Sequence, residues 1–177
     1  PEIIQEAMDT IMVPMAKAMV KEGHSFTGFL YGGLMLTDKG IKTIEFNARF
    51  GDPEAEVILP RLKSDFVDVI LRVMNHEAME LTSDDKVTLG VVLASEGYPA
   101  GSTKDAVITG CDEVDALVYH MGTAKKDGKL VTAGGRVMIV VAQEDTLQAA
   151  YDKAYHEVAK IQCEKLFHRH DIGKKDM

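Results

Sequence analysis

The stretch Ile44-Glu45-Phe46-Asn47-Ala48-Arg49 alternates apolar and polar side chains with a period of two, then runs directly into Phe50-Gly51-Asp52-Pro53-Glu54. A period of two fits a strand rather than a helix, and it gives that strand two chemically different faces. Ile44, Phe46 and Ala48 are expected to pack on one face, with Ile44 and Phe46 buried, while Glu45, Asn47 and Arg49 project together from the other. Asp52 reads as an N-cap, Pro53 as the first helical residue and Glu54 as an acid in the first turn. Upstream, 26–36 is a long apolar run that reads as a buried strand. Asp38-Lys39-Gly40 is a turn signal, so 26–36 and 41–50 are predicted to form a hairpin.

Helical periods surround this hairpin. Ile4, Met8, Met12, Met15 and Met19 recur at three and four residues, with Pro14 expected to kink or split the helix. The methionine stripe reads as core packing. A short helix follows Glu54, with Pro60 near its end, and Ser64-Asp65 caps another whose buried stripe is Phe66, Val67, Ile70, Val73 and Met74. Thr82-Ser83-Asp84-Asp85-Lys86 breaks both periods and separates 1–77 from 86–177. Beyond it, strands are predicted at 87–94, 107–108, 116–124 and 130–142, the last two joined at Lys126-Asp127-Gly128-Lys129. An amphipathic helix through Leu147, Tyr151, Ala154, Val158 and Ile161 comes last. The expected fold class is α+β: an antiparallel hairpin with helices, followed by a small β-rich domain with a terminal helix.

Composition narrows the function. Against 28 Asp and Glu stand 20 Lys and Arg, a formal charge of -8 that repels phosphate backbones, so nucleic acid is not an expected partner. No apolar stretch reaches the roughly 18 residues of a membrane span, and no signal peptide is evident. Cys111 and Cys163 lie far apart in a chain with ten Met, as in a reducing compartment, so the expected location is cytoplasmic. Because the chain starts with Pro1 and a helical pattern begins at once, an upstream portion of the natural protein is expected.

A carboxylate, an amide carbonyl and a guanidinium in one row are the parts of a phosphoryl-transfer site. Mg2+ takes oxygen from one or two protein groups and fills its other positions with water and nucleotide phosphates, which suits Glu45 and Asn47. Arg49 offers a planar fork to a carboxylate or to a phosphoryl group in transit. The alternative is an exposed strand face on which Glu and Arg pair. Asp52 and Glu54 either touch a substrate amine or cap the helix. Gly134-Gly135-Arg136 either brings a basic group to a nucleotide or ribose phosphate or marks a bulge. His156, Cys163, His168 and His170 match no established zinc spacing.

Glu45-x-Asn47-x-Arg49 at a strand end resembles the metal-binding signature of the ATP-grasp ligases. The longer string 46–54 is similar, more narrowly, to the glycinamide ribonucleotide synthetase family. Segment 26–35, Gly97-Tyr98-Pro99, Gly122-Thr123 after His120, and the segments 132–137 and 169–173 match the same family in the right order. By that resemblance 1–77 is the C-terminal part of an ATP-grasp domain and 86–177 the family's C-terminal domain. The implied reaction joins glycine to 5-phosphoribosylamine in de novo purine synthesis, cleaving ATP to ADP and phosphate. Glu45 and Asn47 are implied to hold Mg2+ or Mn2+, Arg49 to be catalytic, and Asp52, Glu54 and Arg136 to contact substrates. The N-terminal portion of the same polypeptide is the implied partner, since the phosphate-covering lobe and adenine-binding strands have no counterpart here. Segment 26–36 also lacks the second metal carboxylate that many ATP-grasp enzymes carry there. Another ATP-grasp carboxylate-amine ligase and a non-catalytic module on the same fold are the rival readings. Magnesium-dependent nucleotide binding separates an enzyme from a module.

Overall fold

The structure, a computed structural model, describes residues 2–176. Residues up to Asp52 together with Ser64–Leu81 form one unit; Pro53–Lys63 and the chain from Thr82 onward form the other. Segment 53–63, which the polar boundary would leave with the first part, thus groups with the second.

In the first unit, α1 (Glu2–Ala7) continues through a π-helical turn, Met8–Met12, into α2 (Val13–Lys21). Pro14, expected to kink or split this helix, does not interrupt it but lies just past this π-helical irregularity. Proline has no N–H and its ring crowds the carbonyl four residues back. The wider turn just ahead of it, in which Val13 N–H donates to Met8 C=O, absorbs that demand. Strands β1 (Tyr31–Thr37) and β2 (Gly40–Asn47) form the antiparallel hairpin. The expected buried strand 26–36 is shorter than predicted, half-buried at its start and exposed from Met35. Helix α4 (Phe66–Met74) begins at Asp65, whose carboxylate accepts from Val67 N and Asp68 N at 2.9 and 3.0 Å. Its inward side is Phe66, Val69 and Val73; Val67, Ile70 and Met74, assigned to the buried stripe, are exposed. Seven of its nine residues are apolar, with Asp68 and Arg72 together on one side, and the packed side is turned away from the centre of the apolar face.

The second unit carries nearly all the core. Strands β3 (Val87–Ser95), β4 (Leu117–His120), β7 (Arg136–Glu144) and β8 (Leu166–Phe167) make an antiparallel sheet in the order β4-β7-β3-β8. β5 (Thr123–Lys126) and β6 (Lys129–Thr132) form a separate hairpin. Two strands predicted as continuous, 116–124 and 130–142, are therefore each broken. The breaks meet at one corner, where Ala133 N–H donates to Gly122 C=O at 2.8 Å and a Cβ on Gly122 would lie 2.6 Å from Arg136 O and 2.9 Å from Gly134 Cα. Only glycine lets these backbones approach.

Helix α5 (Leu147–Val158), capped by Thr146, buries Ala150, Ala154 and Val158 among Val91, Val137, Met138 and Val140. Each fully buried Val or Met side chain contributes about 1.5–3 kcal/mol. The helix is not terminal, because β8 follows it and adds an edge strand. Short α3 (Glu54–Ile58) also belongs to this unit, and Thr88 Oγ1 donates to Val57 C=O at 2.6 Å. Among the described residues of the first unit, Val69 is the one buried hydrophobic side chain.

Glu157 is a buried acid on α5, 4% exposed. Lys160 Nζ lies 2.7 and 2.8 Å from its two oxygens, and Asp115 N–H donates to Oε2. The Lys160 hydrogen bond outweighs the opposing effect of burial and, helped by Asp115 N–H, holds this carboxyl below the usual carboxylate range. A depressed folded-state pKa stabilises the fold above the unfolded value, about pH 4.3, and that contribution is lost as pH falls through the folded value. Glu157→Gln is therefore expected to lower the unfolding free energy by about 2 kcal/mol at pH 7 and by less at pH 3. Denaturant titrations at the two pH values check this.

Candidate functional site

The row begins on a bulged strand. Gly33 pairs with Glu45 but Leu34 with Thr43, so Ile44 is an extra residue on β2. A bulge shifts side-chain parity. Ile44 is 64% exposed rather than buried as strict alternation required, while Phe46 is half-buried. Beyond the bulge the alternation holds, and Asn47 Nδ2 donates to Glu45 Oε1 at 2.9 Å, so both side chains project to one side.

Two glycines on β1 prepare the two faces. Gly32, opposite Phe46, admits the first helix, since a Cβ there would meet Met12 Sδ at 2.6 Å. Gly33 opens room beside Glu45, where a Cβ would lie 3.1 Å from Glu45 Cγ and 3.7 Å from Tyr31 Cε1. Tyr31, which pairs with Asn47, thus shares the polar face. Sequence reading passed over it, although its parity with Gly33 was available.

Arg49 lies two residues past the end of β2, so it is not part of the strand row as expected. Its Nη1 donates to Phe50 C=O at 2.7 Å and its side chain is exposed. The chain beyond the strand is fixed by three phenylalanines. Phe50 packs on Phe29 at 4.4 Å between ring centroids, and both lie 6.0 Å from Phe66. Asp52 is exposed in the following turn and is not the N-cap: α3 starts at Glu54, Pro53 holds the cap position, and no side chain closes it. With five residues, α3 is too short to present an anion-attracting start.

In the second unit, Glu54 is half-buried and lines a groove of about 300 Å³ with Val57, Leu89 and Leu147. Ile172 and Gly173, which sequence reading matched to a family string without giving them a site role, line it too. Arg136 opens β7 beside a bulge: Leu93 pairs with Met138 but Ala94 with Arg136, leaving Val137 extra. His168 and His170 stack edge-on at 4.5 Å on the segment after β8.

Among the described residues no three His, Cys, Asp or Glu side chains gather as a metal-binding group. An ion held by Glu45 and Asn47 would draw its remaining ligands from water and phosphates rather than from an all-protein cage. With the Asn47 amide nitrogen on Oε1, Glu45 Oε2 and Asn47 Oδ1 are the oxygens left to such an ion. Both are hard donors, which Mg2+ and Mn2+ accept.

Comparison with known proteins places this geometry. Residues 1–55 match the family described as phosphoribosylglycinamide synthetase, ATP-grasp (A) domain, and residues 88–175 match its C domain. The phosphoribosylamine–glycine ligase of Halalkalibacterium halodurans is 48% identical over 174 residues, covering 97% of this chain and 41% of the relative. That of Listeria innocua is 44% identical, covering 98% and 42%. The chain thus spans about two-fifths of the length of these relatives. A crystal structure of phosphoribosylamine–glycine ligase from Thermotoga maritima superposes with a TM-score of 0.79 at 37% identity, over 97% of this chain and 42% of that one. The biotin carboxylase domain of the Hydrogenobacter thermophilus 2-oxoglutarate carboxylase shares the fold alone, with a TM-score of 0.53 at 15% identity over 84% of this chain. The A-domain match spans the Glu45–Asn47 strand and the C-domain match spans the sheet that carries Arg136. The chain belongs to the phosphoribosylglycinamide synthetase family of ATP-grasp ligases.

Proposed function

We propose that this chain is part of a cytoplasmic ligase that joins glycine to 5-phosphoribosylamine, giving glycinamide ribonucleotide, ADP and phosphate in purine synthesis. The observation that carries the reading is the Glu45–Asn47 pair on one face of a hairpin inside the A-domain match. Glycine carboxylate attacks the γ-phosphorus of ATP, ADP leaves, and the amine of phosphoribosylamine then displaces phosphate from the glycyl phosphate. A divalent ion, when bound, offsets the charge of the phosphate oxygens. Glu45 and Asn47 would hold that ion through the oxygens they present. Arg49 stabilises the phosphoryl group or the glycine carboxylate, at the cost of its present bond to Phe50 C=O. Asp52, Glu54 and Arg136 contact the substrates, with the carboxylates suited to amines and Arg136 to a phosphate.

In this reading 1–77 belongs to the ATP-grasp domain and 86–177 is the C-terminal domain, and the rest of the polypeptide supplies the remaining nucleotide contacts. The apolar surface of the first unit, exposed at Ile3, Ile4, Met8, Met35 and Leu36, supports a partner of that kind. The test is phosphate release by the complete polypeptide with ATP, glycine and phosphoribosylamine. Release that requires all three and stops on chelation of divalent ions is the expected result; release without glycine overturns the reading.

A further inference from the structure

The segment that follows β8 is tied down by side chains of α5 and by an ion pair of its own. Tyr155 Oη donates to Arg169 C=O at 2.8 Å and accepts from Ile172 N–H at 3.1 Å. Tyr151 Oη donates to His170 C=O at 3.3 Å. Arg169 and Asp171 form a two-pronged ion pair at 2.8 and 2.7 Å. The tyrosine rings pack on each other at 4.5 Å, and Tyr155 lies 5.7 Å from His168. Gly173 takes φ +81°, and a Cβ there would sit 2.5 Å from Leu89 Cδ1, so it is pressed onto β3 at a position only glycine fills without strain.

These restraints converge on Ile172 and Gly173, which line the groove at Glu54. Its other walls, Pro53, Val57, Leu89, Ile139 and Leu147, are apolar. The Thr88 hydroxyl is already donated to Val57 C=O. Among the described residues no Lys or Arg lines the groove, and Glu54 is the one ionisable group that does.

We propose that residues 169–173 form a working wall of the Glu54 groove, that Tyr155 is the positioning residue for this wall, and that the groove takes an amine-bearing small molecule without a phosphate. A half-buried carboxylate among apolar walls balances a cationic amine, whereas a phosphate calls for basic groups that this lining lacks. Tyr155 acts by fixing both ends of the four-residue turn at once, because its hydroxyl engages Arg169 and Ile172 together. Of the substrates proposed above, glycine fits this description through its amine, while its carboxylate, which the lining does not pair, stays at the open side of the groove; that assignment rests on the ligase reading.

The experiment uses the complete polypeptide with Tyr155→Phe, which keeps the packed ring and removes both hydrogen bonds. KM for glycine is expected to rise about tenfold, with kcat within about twofold and KM for ATP unchanged. Glu54→Gln is expected to raise KM for glycine in the same direction. Tyr151→Phe, losing only the longer bond, is expected to change it by less than about twofold. A purely structural Tyr155 predicts instead that kcat and the yield of folded protein fall together with KM unmoved, and that result overturns the proposal. Should Tyr155→Phe not fold, Arg169→Gln loosens the same turn from its other anchor and must show the same split. Equilibrium binding of glycine, measured by calorimetry, separates the two layers of inference. Glycine binding that depends on Tyr155 in a polypeptide without ligase turnover overturns the ligase reading alone. Ligase turnover with KM and binding indifferent to Tyr155 and Glu54 overturns the wall alone.

Discussion

Replacing Glu45 by alanine in the complete polypeptide is expected to lower turnover by about a hundredfold to a thousandfold at saturating Mg2+, while the unfolding midpoint moves by less than about 2 °C. Catalysis of phosphoryl transfer consists mainly of positioning and of offsetting charge, and removing one well-placed group of this kind typically costs that much. Stability is expected to hold because Glu45 is exposed and bonds to the neighbouring Asn47 amide rather than to the core. Exposed hydrogen bonds of that type contribute about 1 kcal/mol or less. The two effects are read on one preparation, by steady-state phosphate release and by thermal unfolding. Parallel loss of folded protein and activity assigns Glu45 a structural role and removes the metal site.

The 177-residue chain alone is expected to show no ligase turnover above background, and to self-associate. It covers 41–42% of the length of the relatives described above, and the ligase reading assigns the remaining nucleotide contacts to residues outside it. Holding reactants in line is worth about 7–11 kcal/mol, and half a site forfeits most of that. A Glu and Asn pair is also a weak Mg2+ site without phosphates held beside it, because this ion gives up water reluctantly. Self-association is expected through the apolar groove of about 350 Å³ between the first helix and the hairpin, lined by Ile4, Met8, Leu34, Leu36 and Ile41. Sedimentation across a range of concentrations measures it. A chain that stays monomeric and turns over all three substrates contradicts both expectations.

The hairpin, the Asp65 cap and the helix after Thr146 were legible because each rests on chemistry within a few residues: a turn, a side-chain cap, a repeating stripe. Ile44 was misplaced because a bulge is a property of two paired strands, and its one trace in the sequence of β2 is the adjacent polar pair Lys42-Thr43, which breaks the alternation between Ile41 and Ile44. Arg49 was counted into the row for the same reason, since where a ladder stops depends on its partner. The exposed side of α4 shows the limit of periodicity, which locates the face opposite Asp68 and Arg72 but not which part of that wide apolar face meets a neighbour. Gly122 and Gly134 were read through as strand, because only their approach to each other, which joins residues remote in sequence, explains why two predicted strands become four. In the site, the Glu45 and Asn47 pairing followed from spacing, while the Tyr155-held wall joins residues remote in sequence and had no local signal beyond the string at 169–173.

The chain passes between its two units three times, after Asp52, after Lys63 and after Leu81. The last two passages lie side by side: Lys63 N–H donates to Thr82 C=O, Asp84 N–H to Arg61 C=O, and Leu62 bridges Ser83. Segment 64–81 is thus an insertion whose ends are closed by a short ladder, and closing so short a loop costs little chain entropy. A protease that nicks this insertion leaves each half of the ladder on a different fragment. The amino-terminal fragment keeps α3 and 61–63, which complete the second unit, while the carboxy-terminal fragment keeps the sheet that receives them. Neither fragment is a finished piece, and the two should co-purify as a nicked complex and complement each other when expressed separately.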